Sequence, residues 1–245
     1  MHSGTVISII PVYRSISDLL EVLSRFPYGI VNEICVIADC VPRTYFSRIR
    51  DREREIGIPI HIISHEERKG IGHAIRMGLR YALSRKYKVA VIMAGNKKDD
   101  PSEIRRLLTP IVEKGYDYVQ GSRFLPGGTS PRNPFFRKLF SRLYPFIWTF
   151  ITKTRCTDVT NGFRAYRLSL FSDSRININQ RWLDSYQLEY YLHFKVLTLG
   201  YRVKEVSVSK TYPHSRRGGY TEISLFRDWW SILGPLIYLT LGVKK

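Results

Sequence analysis

The stretch that decides the fold is Val89-Ala-Val-Ile-Met-Ala-Gly-Asn-Lys-Lys-Asp-Asp-Pro101. Its first five residues are all apolar. Because a half-buried strand would alternate with polar residues, this run predicts a strand buried on both faces. Ala94 and Gly95 then leave room for a ligand to approach the backbone. Asn96 and the four charged residues after it would lie at the carboxyl end of the strand, where open α/β sheets bind ligands.

The same polar residues also fit an ordinary loop between a strand and a helix, with Asp100 or Ser102 capping a helix that begins near Pro101. Strand-like and helix-like segments alternate along much of the chain. The strand-like segments are 5–13, 33–39, 58–63, 89–93 and 116–121, and the helix-like segments are 17–26, 43–56 and 70–83. This rhythm predicts an α/β fold with a mainly parallel sheet flanked by helices.

Composition narrows the class of partner. The 245 residues include 39 Lys and Arg against 21 Asp and Glu, a formal net charge of +18. We therefore expect an anionic partner, either nucleic acid, an acidic membrane face or a phosphorylated small molecule. The three cysteines show no metal-binding spacing and fit reduced thiols in a cytoplasmic protein. The first apolar run, 6–12, is typical of a strand rather than of a signal sequence.

Polar residues at two strand ends combine into a candidate site. Asp39 closes the second predicted strand, and it would share a sheet edge with Tyr13 and Asn96 if the strands are parallel. Its carboxylate suits hydrogen bonding to a base or a ribose, although it also fits a turn before Pro42. Cations that suit phosphate lie nearby in the predicted topology: Lys97, Lys98 and Arg123. The sequence thus predicts a site for a nucleoside diphosphate.

Six motifs in a fixed order carry a resemblance to a known family. They are Ile9-Ile-Pro-Val-Tyr13, Val36-Ile-Ala-Asp39, Arg68-Lys-Gly-Ile-Gly-His-Ala-Ile-Arg-Met-Gly-Leu-Arg80, Met93 to Pro101, Gly121-Ser-Arg-Phe124 and Asp158-Val-Thr-Asn-Gly-Phe-Arg-Ala-Tyr166. Over roughly residues 5–225 the chain resembles the GT-A glycosyltransferases of family two, especially their dolichyl-phosphate mannose synthase branch. The resemblance implies a GT-A, Rossmann-like fold and a nucleoside diphosphate sugar as donor.

The resemblance also selects residues for substrate binding. On the donor side these are Pro11, Tyr13, Asp39, Gly70, Ala94, Gly95 and Asn96, and Arg123 is expected near the acceptor. In the family the second strand usually ends in two acids, and the second acid contacts the nucleotide base. Here the pair is Ala38-Asp39, so Asp39 keeps that role while its partner acid is missing.

A larger departure concerns the metal. The family's Asp-x-Asp motif holds a divalent cation against the donor pyrophosphate, and Ala94-Gly95-Asn96 stands in its place. Ala94 has no ligand atom, and the Asn96 amide is a weak ligand for a hard cation. Our hypothesis is that Lys98, alone or with Lys97, supplies the positive charge and makes the reaction independent of metal. The alternative is Mg²⁺ or Mn²⁺ bound by Asn96 with Asp99 or Asp100 in a shifted register.

For the acceptor side the resemblance selects Asp158, Asn161, Arg164 and Glu189. Asp158 is the first choice for catalytic acid-base work, and Glu189 is the second. A phosphate acceptor is already ionised, so Asp158 would then orient the acceptor rather than deprotonate it. Each acid also fits a structural role, Asp158 as a cap and Glu189 as the partner of Arg164.

Two apolar segments in the second half suit a membrane surface. Residues 133–152 mix aromatic, aliphatic and cationic residues, as expected of an amphipathic helix at an anionic membrane. A buried helix pair interrupted at Pro145 is the alternative. Residues 229–243 carry no charge but fall short of the ~20 residues that span a bilayer.

A basic loop at 210–221 has the composition of a lid that closes over a diphosphate. We expect Arg216 and Arg217 to contact phosphate there. His214 fits either a metal ligand or a surface side chain.

Together these features predict an inverting glycosyltransferase that binds its donor in residues 1–128 and its acceptor in residues 129–245. The expected acceptor is a polyprenyl phosphate, bound by a peripheral protein at the cytoplasmic membrane face. A soluble hydroxyl acceptor remains an alternative. So does a catalytically degenerate or nucleic-acid-binding protein on the same scaffold, because +18 also suits RNA.

Overall fold

The computed structural model describes residues 5–14, 16–212 and 229–244. Its framework is one sheet of seven strands. The strands are β1 (Val6–Tyr13), β2 (Glu33–Asp39), β3 (Ile60–His65), β4 (Val89–Ile92), β5 (Tyr118–Ser122), β6 (Arg164–Arg167) and β7 (Val203–Ser207). Their order across the sheet is β3-β2-β1-β4-β6-β5-β7. All pairings are parallel except those of β6, which runs antiparallel to β4 and to β5.

Helices cover both faces of the sheet. They are α1 (Ile16–Ser24), α2 (Phe46–Ile56), α3 (Ile71–Ser84), α4 (Ile104–Lys114), α5 (Phe135–Thr152), α6 (Gln187–Thr198) and α7 (Trp229–Thr240). Helices α1, α2 and α4 contribute Leu19, Ile49 and Leu107 to one apolar core. Helices α3 and α6 contribute to a second core on the other face. A third cluster joins α5, α6 and α7 around Trp148.

This architecture confirms the predicted α/β class with a mainly parallel sheet. The second strand has the predicted bounds, whereas β3 begins two residues later than predicted because Pro59 cannot donate a ladder hydrogen bond. Strands β6 and β7 were not predicted. Strand β6 has only four residues with an arginine at each end, and β7 is only partly buried, so neither shows a clear apolar pattern.

The sheet crosses the predicted division at residue 128, because β6 of the second half lies between β4 and β5 of the first. Helix α5 continues through Pro145 as one helix of 18 residues, so the break considered at that proline is wrong. Within the described ranges, none of the helices has the length and apolar character needed to cross a membrane.

Candidate active site

The predicted site residues meet at the carboxyl edge of the sheet. Tyr13 and Asp39 end neighbouring strands and pair with each other in the parallel ladder. Strand β4 flanks β1 on its other side, and Met93 donates its backbone N–H to the Ile9 carbonyl at 3.2 Å. The loop that holds Asn96 therefore leaves the same edge as Asp39.

A histidine that sequence reasoning missed fixes Asp39. The carboxylate lies 2.8 Å from His65 Nδ1, and Asp39 is only 5% exposed. The His65 ring in turn contacts His73, with ring centroids 5.2 Å apart. Burial, followed by the charges of Arg76 and His65, lowers the pKa of His73. Asp39 is thus held in one orientation at the strand end, and its contact with a nucleoside stays a prediction.

Two cations flank the Tyr13 ring. The guanidinium carbon of Arg14 lies 4.9 Å from the ring centroid and that of Arg68 lies 4.8 Å from it. These are cation–π distances, and they gather positive charge at the end of β1. Pro11 lies two residues earlier in the same strand and is partly buried.

The structure gives the two selected glycines packing roles. A Cβ on Gly95 would lie 3.1 Å from Ile10 Cγ2 and 3.3 Å from the Pro11 carbonyl oxygen, so Gly95 lets its loop pack on β1. Gly70 has φ +95°, and a Cβ there would lie 2.3 Å from the Asp184 carbonyl oxygen. The backbone at Asp184 fills the space where a side chain would stand, so Gly70 has a packing role, and substrate binding by Gly70 stays a prediction.

Gly70→Ala is expected to destabilise the fold by about 1–3 kcal/mol more than Gly200→Ala, because a new methyl group must displace backbone. Gly200 is the matched control, since it also has positive φ (+80°) but nothing within 4 Å of the added Cβ. Urea unfolding of both variants measures the difference. Equal losses of unfolding free energy in the two variants would mean that the contact between the new methyl group and the Asp184 backbone does not add to the destabilisation.

The two neighbouring lysines of the loop after β4 point to different partners. Lys97 has φ +61° and pairs with Asp18 at 3.1 Å and Glu21 at 2.9 Å, both on α1. The suggestion that Lys97 assists at the diphosphate is corrected, because its ammonium group is held by these acids. Lys98 is partly buried and lies 5.7 Å from the ring centroid of Tyr212.

Lys98 belongs to a group of cations. Burial, together with the charges of Lys210 and Arg137, lowers the pKa of Lys98 to about 8. The backbone holds the group together, since Thr211 donates its N–H to the Lys98 carbonyl at 2.9 Å. Lys210 and Arg137 were not selected individually from the sequence, because they lie in the segment after β7 and in α5, far along the chain from Lys98.

The residues in place of the Asp-x-Asp motif do not fit a divalent cation. Ala94 offers only its backbone, and Asn96 is exposed. Asp99 accepts the Ala94 N–H at 2.9 Å with one oxygen and the Lys210 ammonium at 2.5 Å with the other. Across residues 5–14, 16–212 and 229–244 no cluster of three or more His, Cys, Asp and Glu side chains could hold a metal. A metal on Asn96 with Asp99 or Asp100 would have to compete with existing contacts, because Asp99 binds Lys210 and Asp100 pairs with Arg25 at 2.8 Å, and the metal requirement stays a prediction.

Asp158 and Arg123 form a buried ion pair. The Asp158 oxygens accept hydrogen bonds from Arg123 Nε and Nη2, both at 2.7 Å, and from the Arg123 backbone N–H at 3.0 Å. Their side chains are 0% and 2% exposed. The roles selected for these residues, acid-base work for Asp158 and phosphate binding for Arg123, do not match this geometry, because their charged groups already bind each other.

The side chains of Arg164 and Asn161 also form hydrogen bonds within the protein. Arg164 donates to the carbonyls of Asn161, Glu189 and Val159 at 2.7–2.8 Å and is 2% exposed. Asn161 donates to the Gly121 carbonyl at 3.0 Å and accepts from Lys210 at 3.1 Å. Direct substrate binding by these two side chains is corrected to a supporting role, because their polar groups are used inside the fold.

Glu189 remains a candidate. It lies in the first turn of α6, and its carboxylate is 4.0 Å from Arg164 Nε and 16% exposed. A Cβ on Gly162 would lie 2.8 Å from this carboxylate, so the glycine lets it approach. The structural alternative, a pair with Arg164, describes this contact well, and the catalytic role stays a prediction.

Glu205 supports the same segment and had no signal in the sequence. It accepts the backbone N–H groups of Thr157 and Asp158 at 2.8–3.1 Å. Burial raises the pKa of Glu205 and these hydrogen bonds oppose the rise. The predicted phosphate contacts Arg216 and Arg217, and His214 with them, lie outside the described residues.

Comparison with known proteins decides the family. The model of "Glycosyl transferase family 2" matches residues 8–175. The chain belongs to glycosyl transferase family 2. This assignment confirms the predicted enzyme class, a glycosyltransferase, and the resemblance on which that prediction depended.

The names of two relatives of this glycosyltransferase refer to polyprenyl phosphates. It is 30% identical over 208 residues to the undecaprenyl-phosphate mannosyltransferase of Micrococcus luteus, covering 83% of this chain and 82% of the relative. It is 27% identical to the polyprenol monophosphomannose synthase of Mycolicibacterium smegmatis over 205 residues, covering 83% of this chain and 76% of the relative.

Solved structures share the transferase's fold. One is S. aureus TarS 1-349 in complex with UDP-GlcNAc, with a TM-score of 0.59 and 16% identity, covering 97% of this chain and 66% of that one. Another is the Mycobacterium tuberculosis glucosyl-3-phosphoglycerate synthase in complex with Mn²⁺, UDP and phosphoglyceric acid. Its TM-score is 0.61 at 14% identity, over 95% of this chain and 78% of that one. These likenesses show the GT-A fold.

Proposed function

We propose that this transferase moves a sugar from a nucleoside diphosphate sugar to a polyprenyl phosphate at the cytoplasmic face of a membrane. The donor would lie at the carboxyl edge of the sheet, with its nucleoside near Asp39 and its diphosphate near Lys98. The names of the relatives support a polyprenyl phosphate as acceptor. Residues 129–245 would supply most of the acceptor side.

The observation that carries this proposal is the outer face of α5. This face is apolar although it is solvent-exposed, and it consists of Phe135, Phe136, Leu139, Leu143, Phe146, Ile147 and Phe150. Phe136, Phe146 and Phe150 are 70–76% exposed. Exposed basic residues accompany it: Arg132, Lys138, Arg142, Lys153 and Arg155. An exposed apolar stripe with flanking cations fits the interface of an anionic membrane.

The same helix connects the membrane to the site. Arg137 of α5 contacts Tyr212 of the cation group, whereas Phe136 beside it belongs to the outer face. A lipid whose tail lies against this face would therefore bring its phosphate towards the cations. The alternative of a buried helix pair does not explain why the apolar residues lie on the exposed side.

The chemistry follows from the acceptor. An ionised phosphate oxygen attacks the anomeric carbon in line with the departing diphosphate, which inverts the configuration at that carbon. Because the nucleophile carries no proton to remove, positioning and charge stabilisation provide most of the rate. The fold therefore does not need a strong base at Asp158.

The proposal is tested by pairing labelled uridine, guanosine and thymidine diphosphate sugars with undecaprenyl phosphate in detergent. We expect one donor to transfer label into the organic phase in proportion to the lipid phosphate added. Label found only in water-soluble glycans, or no transfer from any of the donors, would contradict the proposed acceptor.

Phe146→Ala with Phe150→Ala is expected to weaken binding to phosphatidylglycerol vesicles at least about tenfold, because two partly inserted rings lose apolar contact. Vesicle sedimentation measures the change. Tyr28→Ala is the control, because Tyr28 is an aromatic residue that is 89% exposed but lies between α1 and β2, outside α5. If Tyr28→Ala lost as much vesicle binding as the double variant, or if the double variant lost none, the outer face of α5 would be excluded as the membrane contact.

A further inference from the structure

Resting on the proposed function, we propose that Lys98, held beside the Lys210–Asp99 pair, replaces the divalent metal of the family, so that fixed side-chain charge binds and activates the donor diphosphate. The loop after β4 lacks the acids of the family motif, and its two remaining acids are engaged, Asp99 by Lys210 and Asp100 by Arg25 at 2.8 Å and the Ser102 N–H at 3.0 Å. The position two residues beyond the motif is a cation, Lys98. Compared with the family motif, the loop after β4 therefore has fewer metal ligands and one more positive charge.

The side chains around Tyr212 carry an excess of positive charge. In the part of the chain that the structure describes, the cations grouped around Tyr212 are Lys98, Arg123, Arg137 and Lys210, and the acids that pair with them are Asp99 and Asp158. Tyr212 lies beside Lys98, accepts from Arg123 Nη1 at 2.8 Å and contacts Arg137. Because Arg123 is paired with Asp158 and Lys210 with Asp99, the excess positive charge of this group lies on Lys98 and Arg137.

The fold holds these charges in place before any ligand binds. Asp99 and Lys210 form an antiparallel bridge, and Thr211 donates to the Lys98 carbonyl, so the two lysines belong to paired backbone segments. The Lys210 ammonium is fixed by Asp99 at 2.5 Å and Asn161 at 3.1 Å. This explains why Asn161 and Asp99 are buried and used internally: they orient the cation. Preorganised charge stabilises a transition state without reorganising at the moment of reaction.

The step balances without a metal. The bond between the anomeric carbon and the diphosphate oxygen breaks, and its electron pair stays on the diphosphate. The acceptor phosphate oxygen forms the new bond to that carbon and loses one negative charge, while the leaving diphosphate gains one. The cations around Tyr212 lie where that new charge is stabilised.

Calorimetric titration of uridine and guanosine diphosphate into protein treated with EDTA tests the inference. We expect wild type to bind one of them equally well with and without Mg²⁺ or Mn²⁺. Lys98→Met is expected to weaken that binding about 10- to 100-fold, since a charge-assisted hydrogen bond to phosphate is lost. Lys98→Arg should keep most of the affinity, and a thermal melt checks that each variant is folded.

Lys97→Met is the matched control. It removes the same charge one residue away, from a side chain held by Asp18 and Glu21. We expect it to bind as wild type does. Equal losses from Lys97→Met and Lys98→Met would show a general charge effect and overturn the assignment to Lys98.

A variant with restored metal ligands tests the inference separately from the proposed function. Ala94→Asp with Asn96→Asp and Lys98→Gln restores metal ligands and removes the cation, so its nucleotide binding should become dependent on Mn²⁺. Wild-type transfer that occurs only with added metal would overturn the inference and leave the proposed function intact. Metal-independent binding without transfer to any lipid acceptor would leave the inference standing and contradict the function.

Discussion

Replacing Asp158 by Asn is expected to lower the free energy of unfolding by about 3–5 kcal/mol, because it leaves the Arg123 guanidinium buried without its counter-charge. The pair is bidentate, and both side chains are nearly inaccessible to solvent. The cost of removing one partner of such a pair is mainly that of the unpaired charge that remains. Urea unfolding at neutral pH measures the loss.

Glu189→Gln is the control for this prediction, because the Glu189 carboxylate is partly exposed and not in a bidentate pair. The free energy of unfolding of Glu189→Gln should be close to that of wild type. If Asp158→Asn instead kept full stability and lost only its turnover, Asp158 would be an acid-base group and the structural role assigned here would be wrong.

Replacing Arg164 by Met is expected to destabilise the protein by about 3–6 kcal/mol. Three backbone carbonyls, those of Val159, Asn161 and Glu189, would lose their donor. An unsatisfied buried acceptor costs about 1–3 kcal/mol. Urea unfolding gives the total, and hydrogen exchange should show faster opening of the segment before β6.

Arg175→Met is the matched control for Arg164. Arg175 also pairs with an acid, Asp173, but the pair lies at the surface, where such contacts contribute little. We expect little change in its unfolding midpoint. Similar losses in the two variants would mean that the three carbonyl contacts of Arg164 do not carry its effect.

The fold of the first half could be predicted because its strands are continuous apolar runs between turn residues. Glu33–Asp39 is buried along its whole length, and its bounds follow directly from the sequence. The antiparallel β6 could not be predicted, because Arg164 and Arg167 are buried or half-buried by contacts that only the tertiary structure creates. Its place between β4 and β5 depends on those contacts rather than on local propensity.

The sheet edge that holds the candidate site could be predicted from the sequence, but the partners of its charged side chains could not. Parallel strands bring their carboxyl ends together, so Asp39 and Asn96 could be assigned to one edge. The partner of a buried charge depends on residues far along the chain, and Arg123 and Asp158 are 35 residues apart. For this reason the family resemblance suggested catalysis for Asp158, whereas the structure shows an ion pair. Lys98 was detectable because it stands beside a motif that has lost its acids.

The most direct test of the whole account is a crystal structure of the chain with the nucleoside diphosphate that binds it, grown with Mn²⁺ present. The account predicts phosphate oxygens within about 2.7–3.2 Å of the Lys98 ammonium, with the nucleoside beside Asp39 and no anomalous manganese signal between loop and diphosphate. Manganese bridging the diphosphate to Asn96 or Asp99, or a nucleotide bound away from this sheet edge, would contradict it.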